Sequence, residues 1–290
     1  MGLNGRQYVV TQGVPRIGPH PAVTTSQGTL SGGVTRVVGA NGYRTLADAI
    51  DASGEGDTIR VRSGPHPGGQ AVIRHDLVIE GDSDAVIQWR GGRVPFIQIG
   101  GAGTRVSIRH LRLVGDGVNS VLLGDPNLAF GVPEAGARPH LILEDVVVDN
   151  DGAGGVNLQS PGAVVEVYGG YLSSLHVSNA RQVIVDALRG DTRVSSAVIF
   201  HGHWGGPGIA SAVCIICIHN VDEVMIDHVR TLGGQGEILV GSSVGQMRVG
   251  EHLGNVTIRL MDDTGRDRGN LPLPKGSPFV FRVANGIAEF

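Results

Sequence analysis

The sequence is poor in several residue types that small, membrane or nucleic-acid-binding proteins need. It has only two cysteines in 290 residues, so we expect no disulfide framework. Charged residues make up 17% and aromatic residues 4%. No apolar run approaches the roughly 20 residues that cross a bilayer, and we predict no membrane insertion. The arginines are scattered and the formal net charge is -4, so we also predict no nucleic-acid partner.

Glycine and aliphatic residues are abundant instead. Glycine supplies 47 residues, and Val, Ile and Leu carry most of the hydrophobicity. This combination is typical of short strands joined by frequent turns. A disordered chain would combine lower hydrophobicity with a higher net charge. We therefore expect a folded chain that is mostly β.

An apolar pattern recurs with a period of about 20 residues, which is typical of a β-solenoid. Residues two apart on a strand face the same side, so the extra residue inside the pattern predicts a tight corner between two strands that face one core. Four positions share their spacing in two segments: Val106, Ile108, Leu111 and Leu113, then Leu141, Leu143, Val146 and Val148. The first three positions recur as Val183, Val185 and Leu188 and as Val224, Ile226 and Val229.

A second series of apolar pairs runs in step with the first. Each pair is followed by Gly, Ser or a polar residue, as expected for a short strand that ends in a turn. Residues 115–139 and 201–211 interrupt the period and are predicted to be projecting loops, which in solenoids often bind ligands. The pairs are Val156/Leu158, Leu175/Val177, Val198/Phe200 and Ile238/Val240.

The chain divides into three segments. Residues 1–33 are rich in Pro and Gly without any period, and we predict an extended segment that anchors the protein to a partner; the alternative is a disordered tail. Residues 34–263 carry the repeat. They begin with a short predicted helix, with Thr45 as N-cap and Asp48 at the third position, which would cover the open end of the solenoid. Residues 264–290 are predicted to be a linker followed by a cap strand.

Residues 43–52, followed by Gly56-Asp57-Thr58-Ile59-Arg60-Val61 and Gly64, resemble the entry to pectin-lyase-like β-helices. That superfamily includes pectinesterases, polysaccharide lyases, polygalacturonases and bacteriophage tailspikes. The resemblance implies an all-β, single-stranded right-handed parallel β-helix with a short N-terminal capping helix. It implies little about activity, because the superfamily holds both enzymes and inert scaffolds.

Four carboxylates are the candidates for catalysis. Glycoside cleavage needs a paired acid and base, and polygalacturonase-like enzymes use aspartates on adjacent turns. The segment from Asp149 to Asp151 resembles the first of their motifs, but the paired aspartates expected about one turn later are absent. A two-carboxylate site could still be assembled from Asp149, Asp151, Glu166 and Asp186 across stacked turns. The alternative is that Asp149 and Asp151 lie in a polar turn.

A glycine-rich loop holds the candidates for glycan binding. His201 and His203 flank Gly202, which resembles the Gly-His-Gly motif of the same enzymes, and Trp204 follows directly. An exposed indole beside hydrogen-bonding groups can stack on the apolar face of a sugar ring. The alternative is that Trp204 packs on the side of the rod or against a neighbouring subunit.

The remaining motif predicts neither a metal site nor a cofactor. Cys214 and Cys217 have the CxxC spacing, but an odd separation on a strand would point their side chains to opposite sides. A zinc site would also need a second pair of ligands. We predict buried, reduced cysteines.

Two functions remain open. The first is a spike or fibre on the surface of a bacteriophage-like particle. It would attach to other virion proteins through residues 1–33, associate as a homotrimer and contact host-surface glycans. The missing export signal, the anchoring segment and the lack of a convincing active site favour it. The alternative is a polysaccharide-degrading enzyme, either a glycoside hydrolase or a lyase. A surface adhesin or passive scaffold is less compatible with a chain that has no export signal.

Overall fold

The protein is all-β, with long parallel sheets, and its described residues include one short helix. In the part of the chain that is described, no helix is both long enough and apolar enough to cross a membrane. The computed structural model describes residues 33–89, 96–115, 123–124, 138–149, 155–191, 214–232, 234–250, 252–264, 266–271 and 279–289.

The parallel strands form three ladders, which the chain visits in a fixed order. We call one passage of the chain through the first, second and third ladders a rung. The first ladder contains β1 (Thr35–Val38), β2 (Asp57–Val61), β5 (Leu77–Gly81), β8 (Arg105–Arg109), β11 (His140–Glu144), β14 (Val164–Tyr168), β17 (Gln182–Asp186) and the second halves of β19 (Cys214–Asp227) and β21 (Gly236–Val249). The second ladder is a separate sheet of seven strands: β3 (Gly64–Pro67), β6 (Ala85–Gln88), β9 (Arg112–Val114), β12 (Val147–Asp149), β15 (Tyr171–Leu172), β18 (Arg189–Asp191) and β20 (Arg230–Leu232). The third ladder contains β4 (Ala71–Ile73), β7 (Ile97–Ile99), β10 (Leu123–Gly124), β13 (Val156–Gln159), β16 (Leu175–Ser178), the first halves of β19 and β21, and β22 (Val256–Met261).

From β8 onward, a left-handed residue makes the corner between the first and second ladders, and at the corner after β14 the next residue, Gly170, is left-handed as well (φ 78°). The left-handed residue redirects the chain within one position, so the residues on both sides of it, such as Ile108 and Leu111, point into the core. This corner is the physical basis of the extra residue inside the repeat. The corner residues, with their φ angles, are His110 (50°), Asp145 (51°), Gly169 (73°), Ala187 (57°) and His228 (48°).

The strand register places the repeated apolar residues beside one another. Val106 pairs with Leu141, and Val183 pairs with Val224. These side chains are at most 3% exposed and belong to one continuous apolar cluster that extends from Val38 to Val283. The repeat in the sequence is therefore a repeat of inward-facing positions.

The series of apolar pairs departs from the prediction at one step. Val156 pairs with Leu175, but Leu175 then pairs with Ile216 rather than with Val198. The prediction for Val198 and Phe200 is wrong in this respect, and those two residues lie outside the described ranges. β18 ends at Asp191 and β19 begins at Cys214, so the connection from the second to the third ladder is longer here than on the other rungs, and the described strands still pair in register.

The helix α1 spans Leu46–Asp51. Its capping box satisfies two backbone donors: Thr45 Oγ1 accepts from Asp48 N at 3.0 Å, and Asp48 Oδ2 accepts from Thr45 N at 3.2 Å. Leu46, Ala49 and Ile50 are buried in the cluster that also contains the first strands.

The C-terminal residues add antiparallel strands to the first and third ladders. β23 (Asp267–Asn270) pairs with β22, while β24 (Phe279–Ala284) pairs with the second half of β21 and with β25 (Ile287–Glu289). These strands lie at the C-terminal edge of the sheet.

Candidate functional site

The outer face of the first ladder carries a concentration of acidic side chains over its last four rungs. Inward residues alternate with outward ones along each strand, which leaves twelve outward positions on these rungs. They hold four carboxylates and one arginine. We call them the acidic face: Val164, Glu166 and Tyr168; Gln182, Ile184 and Asp186; Glu223, Met225 and Asp227; and Gln246, Arg248 and Gly250.

Glu166 is held between two neighbours. Its Oε1 lies 2.6 Å from His140 Nε2, and its Oε2 accepts a hydrogen bond from the Tyr168 hydroxyl at 2.8 Å. The bond with His140, and then that with Tyr168, lowers the pKa of Glu166 below its usual 4.5, although partial burial opposes this. Burial and the neighbouring carboxylate raise the pKa of Tyr168 well above its usual value. Glu166 is therefore an ionised acceptor, and Tyr168 is a neutral donor.

Asp186 and Asp227 occupy equivalent positions on adjacent strands, and His228 lies against both. Its Nδ1 is 2.9 Å from Asp186 Oδ1 and 3.4 Å from Asp227 Oδ1. The His228 ring also stacks on His252, with centroids 4.8 Å apart. Carboxylates directly beside each other repel, and an imidazole N–H shared between them offsets part of that repulsion.

Gly250 leaves room for the Asp227 carboxylate. A Cβ at position 250 would lie 2.0 Å from Asp227 Oδ1, so a larger residue would displace the acid. The packing at this edge of the acidic face is thus compatible with a carboxylate at position 227.

A groove of about 460 Å³ runs across the acidic face. Ile184 and Met225 are neighbours in register and form its apolar floor. Gln182 Nε2 donates to Glu223 Oε2 at 2.9 Å along one side, and Arg248 and Val280 lie at the C-terminal end. The groove combines an aliphatic surface with side chains that donate and accept hydrogen bonds.

The outer face of the third ladder is polar but covered. Five outward residues of that ladder, Gln98, Asn157, His176, Cys217 and Leu239, are at most 9% exposed. Burial lowers the pKa of His176 to about 4, so it is neutral near pH 7. These five positions are closed to a large ligand, whereas eleven of the twelve positions of the acidic face are at least partly exposed.

Two of the predicted catalytic carboxylates lie together. Glu166 and Asp186 are diagonal neighbours on the acidic face, because Tyr168 pairs with Asp186. Asp149 ends β12 in the second ladder, where its Oδ2 accepts from Arg112 Nη2 at 2.7 Å. The other predicted site residues, Asp151, His201, His203 and Trp204, lie outside the described ranges.

Sequence reasoning missed the partners of these acids. Asp227 and His228 could have been found, because residues 186–189 (DALR) and 227–230 (DHVR) follow the same apolar pattern and align position by position. His140 and Tyr168 carry no such signal. The contact of His140 with Glu166 joins residues 26 positions apart and depends on the register between strands.

The prediction of buried, reduced cysteines is confirmed for the burial of Cys217 and wrong for its redox state. Cys217 is buried and disulfide-bonded. The register of β19 against β21 shifts between Cys214 and Ile216, which breaks the strict alternation that the prediction assumed. Among the described residues, no three His, Cys, Asp or Glu side chains converge as ligands for a metal ion.

No protein-family model matches the chain, and a search of curated proteins found no match.

Proposed function

We propose that the chain is a right-handed parallel β-helix that serves as a spike or fibre of a bacteriophage-like particle and contacts host-surface glycans. Three parallel ladders visited in fixed order support the β-helix, and connections between parallel strands of one sheet are almost always right-handed. In this fold α1 would cap the first rung, where four of its six residues are buried. The entry sequence resembles that of pectin-lyase-like β-helices.

The groove on the acidic face carries the proposal of glycan binding. Successive rungs are about 4.8 Å apart, a repeat close to the length of one sugar unit in an extended chain. Gln182, Glu223 and Gln246 present one hydrogen-bonding group per rung, and they lie beside the aliphatic pair Ile184 and Met225. Sugars present apolar ring faces and hydroxyl groups in the same alternation, so a polysaccharide lying along the ladder would meet both kinds of surface.

A matched pair of variants tests glycan binding. Ile184 and Val78 are both half-buried, outward β-branched residues of the first ladder, but only Ile184 lines the groove. On an array of bacterial surface polysaccharides, we expect Ile184→Asn to weaken binding about tenfold, since it removes apolar contact area. Val78→Asn should leave binding unchanged. Equal effects of the two variants, or no binding by the unmodified protein, would contradict a glycan site in the groove.

The particle assignment has its own test. A homotrimer of the 30.2 kDa chain should appear in light scattering at micromolar concentration. Gold-labelled antibodies against the protein should decorate particles released by the source organism. A monomer, or particles without label, would count against a virion spike that attaches to its neighbours through residues 1–33.

The alternative, a polysaccharide-degrading enzyme, is favoured by one observation. Asp186 and Asp227 are adjacent in register with Glu166 diagonal to Asp186, and glycoside cleavage requires two carboxylates that flank the scissile bond. Incubation with capsular or lipopolysaccharide extracts would then release reducing ends. Cleavage that survives Asp186→Asn, Asp227→Asn and Glu166→Gln together would exclude these residues as catalysts.

A further inference from the structure

We propose that the glycan bound by the acidic face carries no acidic groups, and that uronate-containing polysaccharides are excluded from it. This inference rests on the proposed function, because it specifies the class of glycan that the groove accepts. It differs from the expectation raised by pectin-lyase-like enzymes, several of which act on acidic polymers.

The charge of the face is the first reason. Glu166, Asp186, Glu223 and Asp227 stand on three successive strands, and Arg248 is the one guanidinium among the twelve positions. A uronate unit brings one negative charge per sugar into this field. Like charges placed side by side raise the free energy of the complex, and the effect accumulates along a polymer that spans several rungs.

The chemistry of a carboxylate is the second reason. An ionised carboxylate can only accept hydrogen bonds, so it recognises groups that donate them, such as sugar hydroxyls and amines. His140 and Tyr168 already hold Glu166 in one orientation, with one donor on each oxygen. Each of these oxygens keeps further acceptor capacity, so a hydroxyl can be received without reorganisation of the side chain.

Two further arginines of this ladder are already paired with acids, and Arg105, which acts on Glu166, lies outside the twelve positions. Arg60 lies 2.8 Å from Asp82, and Arg109 Nε lies 3.0 Å from Glu144 Oε2. Both guanidinium groups are paired with acids of the next rung. An acidic glycan in the groove would meet Arg248 and a single carboxylate, Glu223, in the lining. The other three carboxylates of the acidic face stand beside the groove on the same strands, and they leave the face with an excess of negative charge.

The experiment compares sugars that differ only in charge. Oligomers of galactose, glucose and mannose are tested against the corresponding uronate oligomers of equal linkage and length, with the full chain and by calorimetry at low and high salt. We expect at least one neutral oligomer to bind at least tenfold more tightly than its uronate. Salt should narrow the difference, because it screens the repulsion.

Two variants sharpen the test. The double variant Glu223→Gln with Asp227→Asn should reduce the discrimination against uronates severalfold. Glu80→Gln, on the charge-balanced part of the same ladder, should leave it unchanged. A uronate that binds as tightly as its neutral counterpart, with binding sensitive to Ile184→Asn, would overturn the inference while leaving the glycan site in place. Absence of binding by every oligomer would overturn both.

Discussion

The four N-terminal rungs and the four C-terminal rungs of the first ladder share one core but differ on their outer face. On β2, β5, β8 and β11 the twelve outward positions in register with those of the acidic face carry three arginines and three acids: Arg60, Arg105 and Arg109 against Asp76, Glu80 and Glu144. The last four rungs carry four acids and one arginine. Inward residues are aliphatic in both halves.

One column of residues shows where the change occurs. Arg60, Glu80, Arg109 and Glu144 follow one another in register with alternating charge, so each charge has an opposite neighbour. The column then continues through Tyr168 to Asp186 and Asp227, where two acids are adjacent. Balanced charges stabilise the first half. The second half keeps the repulsion between Asp186 and Asp227, which would be absent if the sequence were optimised for stability alone. Sites that violate a local rule in this way are where function is expected.

The largest effect on the free energy of unfolding should come from substitutions in the core that the two halves share. Ile108 and Ile226 are both 0% exposed, one in each half. We expect Ile108→Ala and Ile226→Ala each to lower the free energy of unfolding by about 2–5 kcal/mol, through lost burial and the cavity that remains. Urea denaturation measures this. A loss below about 1 kcal/mol at either site would show that the two halves are not packed alike.

A smaller effect on the free energy of unfolding should come from Glu166, which lies at the boundary between the balanced and the acidic halves. Its pKa in the folded chain lies below the usual 4.5, so the ionised form stabilises the fold above that pH. This contribution is lost as the pH falls through the folded pKa. We expect Glu166→Gln to lower the free energy of unfolding by about 1 kcal/mol at pH 7.

The pH dependence distinguishes the cause. The difference between Glu166→Gln and the unmodified chain should shrink as the pH falls below 4.5, as followed by denaturation at each pH. Tyr168→Phe, which removes one of the two donors to Glu166, should make the same dependence shallower. A difference that stays constant down to pH 3 would mean that the ionised carboxylate does not contribute to stability.

The smallest effect on the free energy of unfolding should come from removing a single outward acid, and its sign should differ between the two halves. Glu144→Gln removes an acid paired with Arg109 at 3.0 Å and should lower the free energy of unfolding by about 0.5 kcal/mol. Asp227→Asn relieves repulsion by Asp186 and should raise it by a similar few tenths of a kcal/mol. High salt should reduce both effects. Changes of the same sign would contradict the contrast between a balanced and an acidic face.

The apolar repeat was predictable, and the partners of the acids were not. Val106, Leu141, Val183 and Val224 could be aligned from their spacing alone, because inward positions alternate locally along each strand. The same reasoning failed at Val198, because the sequence between β18 and β19 contains an apolar pair with the same spacing as Ile216 and Ile218, which occupy the place in the ladder. Of the candidate site, only Glu166 and Asp186 were predicted. Their contacts with partner residues could not be, because those contacts join different rungs and leave no signal in the local sequence.

By itself, the sequence determined that the chain is β-rich and repetitive, and which residues face the core, because burial of aliphatic side chains at period two is a local property. Only the tertiary structure decided which acids are neighbours and which histidine contacts them: His140 for Glu166, and His228 for Asp186 and Asp227. Those relations depend on which residues pair between strands 18 to 41 positions apart, and the length of the connecting segments decides that pairing without changing the local pattern.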